Sequence, residues 1–168
     1  MSTKDNIILI GMPGAGKSTV GVVLAKRLGY RFIDSDLVIQ DKYEKLLHEL
    51  ITEHGIEGFW KIENDVNASL DTHRAIIATG GSAVYGQEAM EHLGSIGTVV
   101  YLKLTYEEIE HRLGDLNARG VTLREGQTLV DLFAERVPLY EKYAHITIDC
   151  DDKLLRDIVQ EIAEQVKE

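Results

Sequence analysis

Short apolar runs alternate with longer stretches of helical period along this chain. The apolar runs predict five strands, at residues 6–10, 31–34, 75–78, 98–102 and 146–148. The longer stretches predict helices at residues 18–28, 37–49, 58–71, 87–93, 106–113, 129–143 and 154–166. Strands that alternate with helices in this way are typical of βα units wound into a parallel sheet. The pattern therefore predicts an α/β fold.

Composition and charge narrow the class of protein. The chain has 168 residues, of which 44% are hydrophobic and 27% are charged. This profile is typical of one globular domain with its own core, so we expect a single domain over 1–168. Eighteen Lys and Arg against 28 Asp and Glu give a net charge of −10. Because that charge repels phosphodiester backbones, nucleic acid is disfavoured as a partner.

The amino-terminal residues and the cysteine content indicate the compartment. The first six residues lack the apolar core of a signal peptide, and no apolar run approaches the roughly 20 residues that cross a bilayer. We therefore expect no membrane partner. Cys150 is the single cysteine, which fits a reducing compartment and predicts a small buried side chain rather than a disulfide. Together these observations predict a cytoplasmic protein.

A phosphate-binding motif follows the first predicted strand. Residues 11–18 read GMPGAGKS, the complete G-x-x-x-x-G-K-[ST] pattern between a strand and a helix, which disfavours the alternative of a chance glycine-rich turn. The glycines let backbone N–H groups converge on phosphate oxygens, Lys17 reaches the β and γ phosphates, and Ser18 ligates Mg²⁺. We therefore predict that a nucleoside triphosphate with Mg²⁺ binds to Gly11, Gly14, Ala15, Gly16, Lys17, Ser18 and Thr19.

Two aspartates close the second predicted strand. Asp34 and Asp36 lie at the carboxyl end of that strand, where open α/β sheets place their ligands. Alternate residues of an extended segment share a face, so we expect one carboxylate to hold Mg²⁺ or its water and the other to accept a hydroxyl proton. The alternative interpretation is that Asp36 caps the next helix.

The third predicted strand leads into a glycine-bearing turn. Residues 79–82 read TGGS, and Gly80 and Gly81 permit close approach of the backbone to a ligand, although a plain turn is the alternative. A motor or remodelling ATPase would carry an acidic residue at the end of its apolar Walker-B strand, and this turn has none. The chain also has no Asn-Lys-x-Asp motif, so a GTPase switch is disfavoured.

Further segments read GIEGF at 55–59, TGGSAV at 79–84 and ERVPLY at 135–140, with arginines at 112 and 119. Together with residues 11–18 and DSD at 34–36, they resemble the shikimate kinase family over residues 6–149. The resemblance implies a nucleoside-monophosphate-kinase-like three-layer α/β/α sandwich with a five-stranded parallel sheet. It also implies a substrate-binding region at about 36–72 and a lid at about 113–126. The implied reaction moves the ATP γ-phosphate onto a hydroxyl of shikimate, giving shikimate 3-phosphate, in an enzyme that we expect to be a monomer.

The resemblance also implies a role for individual residues of the acceptor side. Asp36 resembles the carboxylate that meets the substrate hydroxyl, and Asp34 resembles its partner on the magnesium side. Gly80 and Gly81 are expected to line the acceptor. Each of these expectations agrees with the chemistry that the residue types suggest by themselves.

The resemblance also implies roles for three arginines, of which one supplies positive charge at the phosphoryl group in transfer. Arg112 lies where the family stacks an arginine near adenine, and Arg119 resembles the lid arginine that meets the transferring phosphoryl group. Closure of the lid also shuts out water that would hydrolyse ATP. Arg136 resembles a clamp on the substrate carboxylate, and the alternative interpretation is a surface arginine paired with Glu135 or Glu141.

Three departures from the family pattern concern the acceptor and the lid. Trp60, which we count among the substrate-binding residues, stands where the family has an arginine that binds the substrate carboxylate. Gly120 follows Arg119 in place of the family's Pro-Leu-Leu, and Ser82 replaces a third glycine. An indole makes no bidentate ionic contact with a carboxylate. The alternative to shikimate as acceptor is therefore another small hydroxyl compound, such as a sugar acid or a hydroxy amino acid. A non-catalytic nucleotide-binding regulatory protein is the third interpretation, which the complete set of phosphate-site residues disfavours.

Overall fold

Five parallel strands form the centre of the molecule. The structure is a computed structural model that describes residues 4–113 and 126–167. The strands are β1 (Asn6–Ile10), β2 (Arg31–Asp34), β3 (Ala75–Ala78), β4 (Gly97–Lys103) and β5 (Ile146–Asp149). They pair in the order β2-β3-β1-β4-β5, and every neighbouring pair is parallel. The predicted five-stranded parallel sheet is therefore confirmed.

Helices cover both faces of this sheet. In the described residues they are α1 (Lys17–Leu28), α2 (Ser35–Tyr43), α3 (Leu47–Ala68), α4 (Gln87–Ile96), α5 (Tyr106–Leu113), α6 (Leu129–Tyr143) and α7 (Leu155–Val166). Connections between parallel strands are right-handed, so the reversal of direction after β2 places α1 on one face and the helices between β2 and β5 on the other. The final helix, α7, contacts α1, which completes the predicted three-layer sandwich. None of these helices has the length and apolar character to cross a membrane.

Strands β1 and β3 are buried along their whole length because helices cover both of their faces. Every residue of β1 and β3 is buried. The amide of Asn6, at the start of β1, donates to the carbonyls of Thr72 and Ile96, each at 2.9 Å. It also accepts from the N–H of Ala75 at 3.1 Å, so this buried polar group is satisfied and joins β1 to β3. Cys150 is buried as expected, and burial raises the pKa of its thiol to about 12.

The helix boundaries between β2 and β3 differ from those predicted. The apolar pattern predicted one helix across residues 37–49, but that helix is interrupted: α2 ends at Tyr43 and α3 starts at Leu47. Glu44 adopts a left-handed backbone, with φ of 52°, and this conformation ends α2. The Glu49 carboxylate then accepts from the N–H of Leu46 at 2.9 Å and begins the next helix.

The topology positions the three sequence motifs. Strands β2, β3 and β1 are neighbours in the sheet, so the loops at their carboxyl ends come together at one edge. Those loops carry the phosphate-binding motif, the two aspartates and the glycine-bearing turn. Segments far apart in the chain therefore meet at one place.

Candidate active site

One cavity of about 600 Å³ lies at this edge of the sheet. The phosphate-binding loop lines one end, and the rest is lined by side chains of α2, α3 and α6 and by residues 79–82, which we call the acceptor loop. A volume of this size is ordinary for a small-molecule site. The structure brings together on these walls the predicted residues Gly14, Gly16, Lys17, Ser18, Thr19, Asp34, Asp36, Gly80, Gly81 and Arg136.

The phosphate-binding loop has a backbone that requires its glycines. Gly14 and Gly16 have φ of 84° and 91°, in the left-handed region that side chains disfavour. A Cβ on Gly11 would lie 2.9 Å from the carbonyl oxygen of Leu102, so glycine lets the loop pass close to β4. Gly11 and Ala15 are themselves buried and do not line the cavity. The loop ends at the amino terminus of α1, whose free N–H groups and dipole favour an anion.

Lys17 is buried at the phosphate end of the cavity. Its Nζ donates to the carbonyl of Gly11 at 2.6 Å and to the carbonyl of Met12 at 3.0 Å. Burial lowers the pKa of this lysine to about 8, an effect that the negative charge of Asp36 opposes. The side chain is therefore cationic at pH 7 and held by the loop into which a phosphate would bind.

Asp34 and Ser18 bring two side-chain oxygen atoms together beside the loop. Oδ1 of Asp34 accepts from the N–H of Asp36 at 2.9 Å and so caps α2. Oδ2 of Asp34 accepts from the hydroxyl of Ser18 at 3.4 Å. Oxygen atoms of these two types are ligands that Mg²⁺ prefers. The alternative in which Asp36 caps the helix is wrong, because α2 already begins at Ser35.

Asp36 reaches the acceptor loop from the first turn of α2. The two aspartates therefore do not share a face of an extended strand, as the sequence pattern suggested. A Cβ on Gly80 would lie 2.8 Å from Oδ1 of Asp36 and 2.8 Å from Oε2 of Glu63, so glycine there lets two carboxylates converge. Burial and the neighbouring Asp34 raise the pKa of Asp36 to about 6, while Lys17 opposes the shift.

Glu63 is a candidate site residue that the sequence reasoning missed. Its side chain is buried, lines the cavity and accepts from the hydroxyl of Ser82 at 2.7 Å. Burial raises the pKa of Glu63 to about 7, although the bond from Ser82 acts in the opposite direction. The signal in the sequence that could have identified Glu63 was its position on the helix. Glu63 falls on the same buried face of α3 as Phe59, Ile62 and Val66, where a carboxylate is unexpected unless it serves a site.

Replacing Glu63 with glutamine is expected to raise the melting temperature at pH 8 and to change it little at pH 5. The pKa of this carboxyl rises from 4.5 to about 7 on folding, so stability falls as the pH rises between these values. Above pH 7 the folded protein holds a buried charge that glutamine lacks, and the glutamine oxygen still accepts from Ser82. Thermal melts of both proteins at the two pH values measure the difference.

Glu57→Gln serves as the matched control for this prediction. Glu57 lies on the same helix but is exposed, so its replacement should move the melting temperature little at either pH. A stabilisation of Glu63→Gln that is equal at pH 5 and pH 8 would contradict the assigned charge effect.

Arg136 is buried in the cavity wall beside the acceptor loop. Its side chain, on α6, is 1% exposed. A Cβ on Gly81 would lie 2.9 Å from Nη1, so the guanidinium packs against the acceptor loop. The hydroxyl of Tyr140, one turn further along α6, donates to the Gly81 carbonyl at 2.7 Å and fixes the loop against the helix. This burial overturns the alternative interpretation of Arg136 as a surface arginine.

Of the other two predicted arginines, Arg112 does not line the cavity and Arg119 lies outside the described residues. Nη1 of Arg112, near the end of α5, donates to the Gly14 carbonyl at 3.1 Å, and Nε donates to Glu108 at 2.9 Å. Arg112 therefore lies beside the phosphate-binding loop, and its place near adenine stays a prediction. Arg119 lies outside the described residues, as do the residues between the two ends of the predicted lid, so their roles stay predictions as well.

Trp60 does not line this cavity. Its ring stacks on the ring of Tyr85, with 4.1 Å between the centroids and 21° between the planes. Both residues border a separate cavity of about 300 Å³, and Trp60 also packs against the cluster that contains Phe59. The structure therefore does not bring Trp60 together with the other predicted substrate residues.

Comparisons with known proteins agree on one family. A model of the shikimate kinase family matches residues 13–167. A shikimate kinase of Francisella tularensis subsp. novicida (strain U112) is 38% identical over 167 residues, which cover 97% of this chain and 95% of that protein. One of Vibrio campbellii is 36% identical over 171 residues, which cover 100% of this chain and 99% of that protein.

A solved structure shows the same similarity in three dimensions. Shikimate kinase from Acinetobacter baumannii, in complex with shikimate, superimposes with a TM-score of 0.87 at 35% sequence identity. The superposition covers 99% of this chain and 94% of that one. The resemblance seen in the sequence is thus confirmed over nearly the whole chain. The chain belongs to the shikimate kinase family, whose members are kinases that transfer a phosphoryl group from ATP to a hydroxyl of shikimate.

Proposed function

We propose that this chain transfers the γ-phosphoryl group of ATP to shikimate and forms shikimate 3-phosphate. The observation that carries the proposal is a single cavity whose walls include Lys17, Asp36 and Arg136. The relative solved with shikimate bound has the same fold at 35% identity. We infer that residues 1–168 act as one kinase domain, with a substrate-binding region at about 36–72 and a lid at about 113–126.

The phosphates of ATP bind to the loop at the start of α1. Lys17 exchanges its contacts with the loop carbonyls for contacts with the β and γ phosphates, where its charge offsets the charge that develops during transfer. Thr19 and Arg112 also contact the nucleotide. Ser18 and Asp34 would hold Mg²⁺, because Oδ1 of Asp34 serves the helix cap and Oδ2 is directed towards the Ser18 hydroxyl. When bound, the ion supplies positive charge to the phosphate oxygens.

Asp36 takes the proton of the attacking hydroxyl. With a pKa of about 6, its carboxylate is ionised at neutral pH and still basic enough to accept that proton. Glu63 offers a second carboxyl group, which converges with Asp36 at Gly80 and is suited to a neighbouring ring hydroxyl. Because Gly80 has no side chain, the ring approaches both carboxyl groups and the backbone.

Arg136 binds the carboxylate of shikimate. A buried guanidinium presents its N–H groups in a fixed fork, which forms charge-assisted hydrogen bonds of the strong class with a carboxylate. Gly81 lets the substrate lie close to this group. Arg119 keeps the role that the family resemblance implies, a contact from the lid with the phosphoryl group in transfer.

Shikimate-dependent formation of ADP tests the proposed function. The purified protein is expected to turn over shikimate with ATP and Mg²⁺, and ³¹P NMR identifies the product as shikimate 3-phosphate. Chelation by EDTA should abolish turnover, and added Mg²⁺ should restore it, because the phosphate charges are then no longer offset.

Competing acceptors define the outcomes that would overturn the proposal. Sugar acids and hydroxy amino acids are assayed at the same concentration as shikimate. Turnover of one of these compounds without turnover of shikimate contradicts the acceptor and leaves the kinase chemistry in place. Binding of ATP without turnover of any acceptor favours the non-catalytic regulatory interpretation.

A further inference from the structure

We propose that Tyr85 is a positioning residue that holds Arg136 in its substrate-binding orientation, and that Trp60 holds Tyr85. This inference rests on the proposed function, in which Arg136 binds the substrate carboxylate. Tyr85 ends a short 3₁₀ turn, Ala83–Tyr85, that directly follows the acceptor loop. It does not line the main cavity itself, so it acts through a neighbour rather than on the substrate.

Tyr85 contacts Arg136 in two ways. The hydroxyl of Tyr85 accepts from Nε of Arg136 at 3.3 Å, and the guanidinium carbon lies 5.4 Å from the centroid of the tyrosine ring. Nη1, on another part of the same planar group, faces the acceptor loop at Gly81. Tyr85 therefore engages one edge of the guanidinium and directs another edge towards the acceptor.

The hydroxyl of Tyr85 has a fixed direction. Its single proton is donated to Oε1 of Glu135 at 2.5 Å, so only a lone pair is available for the N–H of Arg136. Gln127 donates to Oε2 of the same glutamate at 3.2 Å and orients it in turn. Burial and the bond to Glu135 both raise the pKa of Tyr85, so the phenol keeps its proton at neutral pH. A chain of hydrogen bonds thus joins Arg136 and Glu135, on α6, to Tyr85 in the turn that follows the acceptor loop.

The ring of Tyr85 is held from the side of α3. Trp60 stacks on it with 4.1 Å between the ring centroids, and Trp60 itself packs against a buried cluster of that helix. This arrangement gives a physical reason for an indole at a position where a direct ionic contact with the substrate was expected. Trp60 supports the residue that orients the remaining guanidinium instead of contacting the carboxylate.

Tyr85→Phe separates the hydroxyl from the ring. Phenylalanine keeps the stack with Trp60 but no longer accepts from Arg136, so KM for shikimate should rise roughly tenfold while kcat and KM for ATP stay close to wild type. Trp60→Leu should also raise KM for shikimate. Trp60→Phe should raise KM much less, because phenylalanine retains an aromatic stack on Tyr85. Tyr143→Phe, which removes a hydroxyl from α6 outside the cavity, is the matched control and should leave KM unchanged.

The methyl ester of shikimate tests whether Tyr85 acts through Arg136. The ester lacks the negative charge that the guanidinium binds, so Tyr85→Phe should change its KM much less than it changes the KM for shikimate. A tenfold rise in KM that is equal for the acid and the ester overturns the inference, as does an unchanged KM of Tyr85→Phe for shikimate. A loss confined to kcat also overturns it. If the wild type does not turn over shikimate at all, the proposed function fails first and this inference fails with it.

Discussion

Asp36→Asn is expected to lower kcat for shikimate by about 10²–10⁴-fold, the range for loss of a general base. The amide is close in size to the carboxylate and remains polar, but it does not accept the hydroxyl proton. Affinity for ATP should change little, because Asp34 and Ser18, not Asp36, are the proposed ligands of Mg²⁺. Steady-state kinetics together with direct titration of a non-hydrolysable ATP analogue measure both quantities.

The pH profile gives a second measure of the role of Asp36. Burial raises the pKa of this carboxyl to about 6, and the base must be ionised to act, so wild-type turnover should rise with pH through that value. The residual turnover of Asp36→Asn should lack this rise. Asp41→Asn, an exposed aspartate on the same helix, is the control and should behave as wild type. If ATP affinity collapses instead, Asp36 belongs to the magnesium side and the roles of the two aspartates are exchanged.

Much of the fold could be predicted because its signals are local. The runs that form β1, β2 and β3 are short, and their observed ends match the predicted ones. The break between α2 and α3 was missed because Leu46, Leu47 and Leu50 continue the apolar pattern. It depends on a left-handed backbone at Glu44, a residue type that gives no such signal.

The site could be predicted where its residues form a short local motif or match the pattern of a known family. The spacing of residues 11–18 identifies a phosphate loop without knowledge of any distant contact. Glu63 and Tyr85 belong to the surroundings of the site only because α3 and the turn after the acceptor loop fold against it. Burial decides the case of Arg136, and no local pattern shows whether a helical arginine faces solvent or a cavity.

Lys17→Ala is expected to lower kcat/KM for ATP by about 10²–10³-fold, the loss typical for removal of one preorganised donor from a transition state. Lys17 is the cation that the phosphate loop holds with its own carbonyls, at 2.6 and 3.0 Å. Alanine leaves the loop glycines and the start of α1 unchanged, so nucleotide should still bind, but more weakly. Lys26→Ala, an exposed lysine on the same helix, is the control for a general effect on α1.

The pH dependence of nucleotide binding ties this loss to the charge of Lys17 rather than to its size. Burial lowers the pKa of Lys17 to about 8, and a bound phosphate favours the protonated form, so wild-type affinity for ATP should fall as the pH rises through 8. The Lys17→Ala variant has no such proton to lose and should bind with the same affinity at pH 7 and pH 9. Titrations with the non-hydrolysable ATP analogue at both values measure this. A wild type and variant with parallel pH profiles, or a variant within tenfold of wild-type turnover, would exclude the proposed role of Lys17, because neither result is compatible with a cation acting on the transferring phosphate.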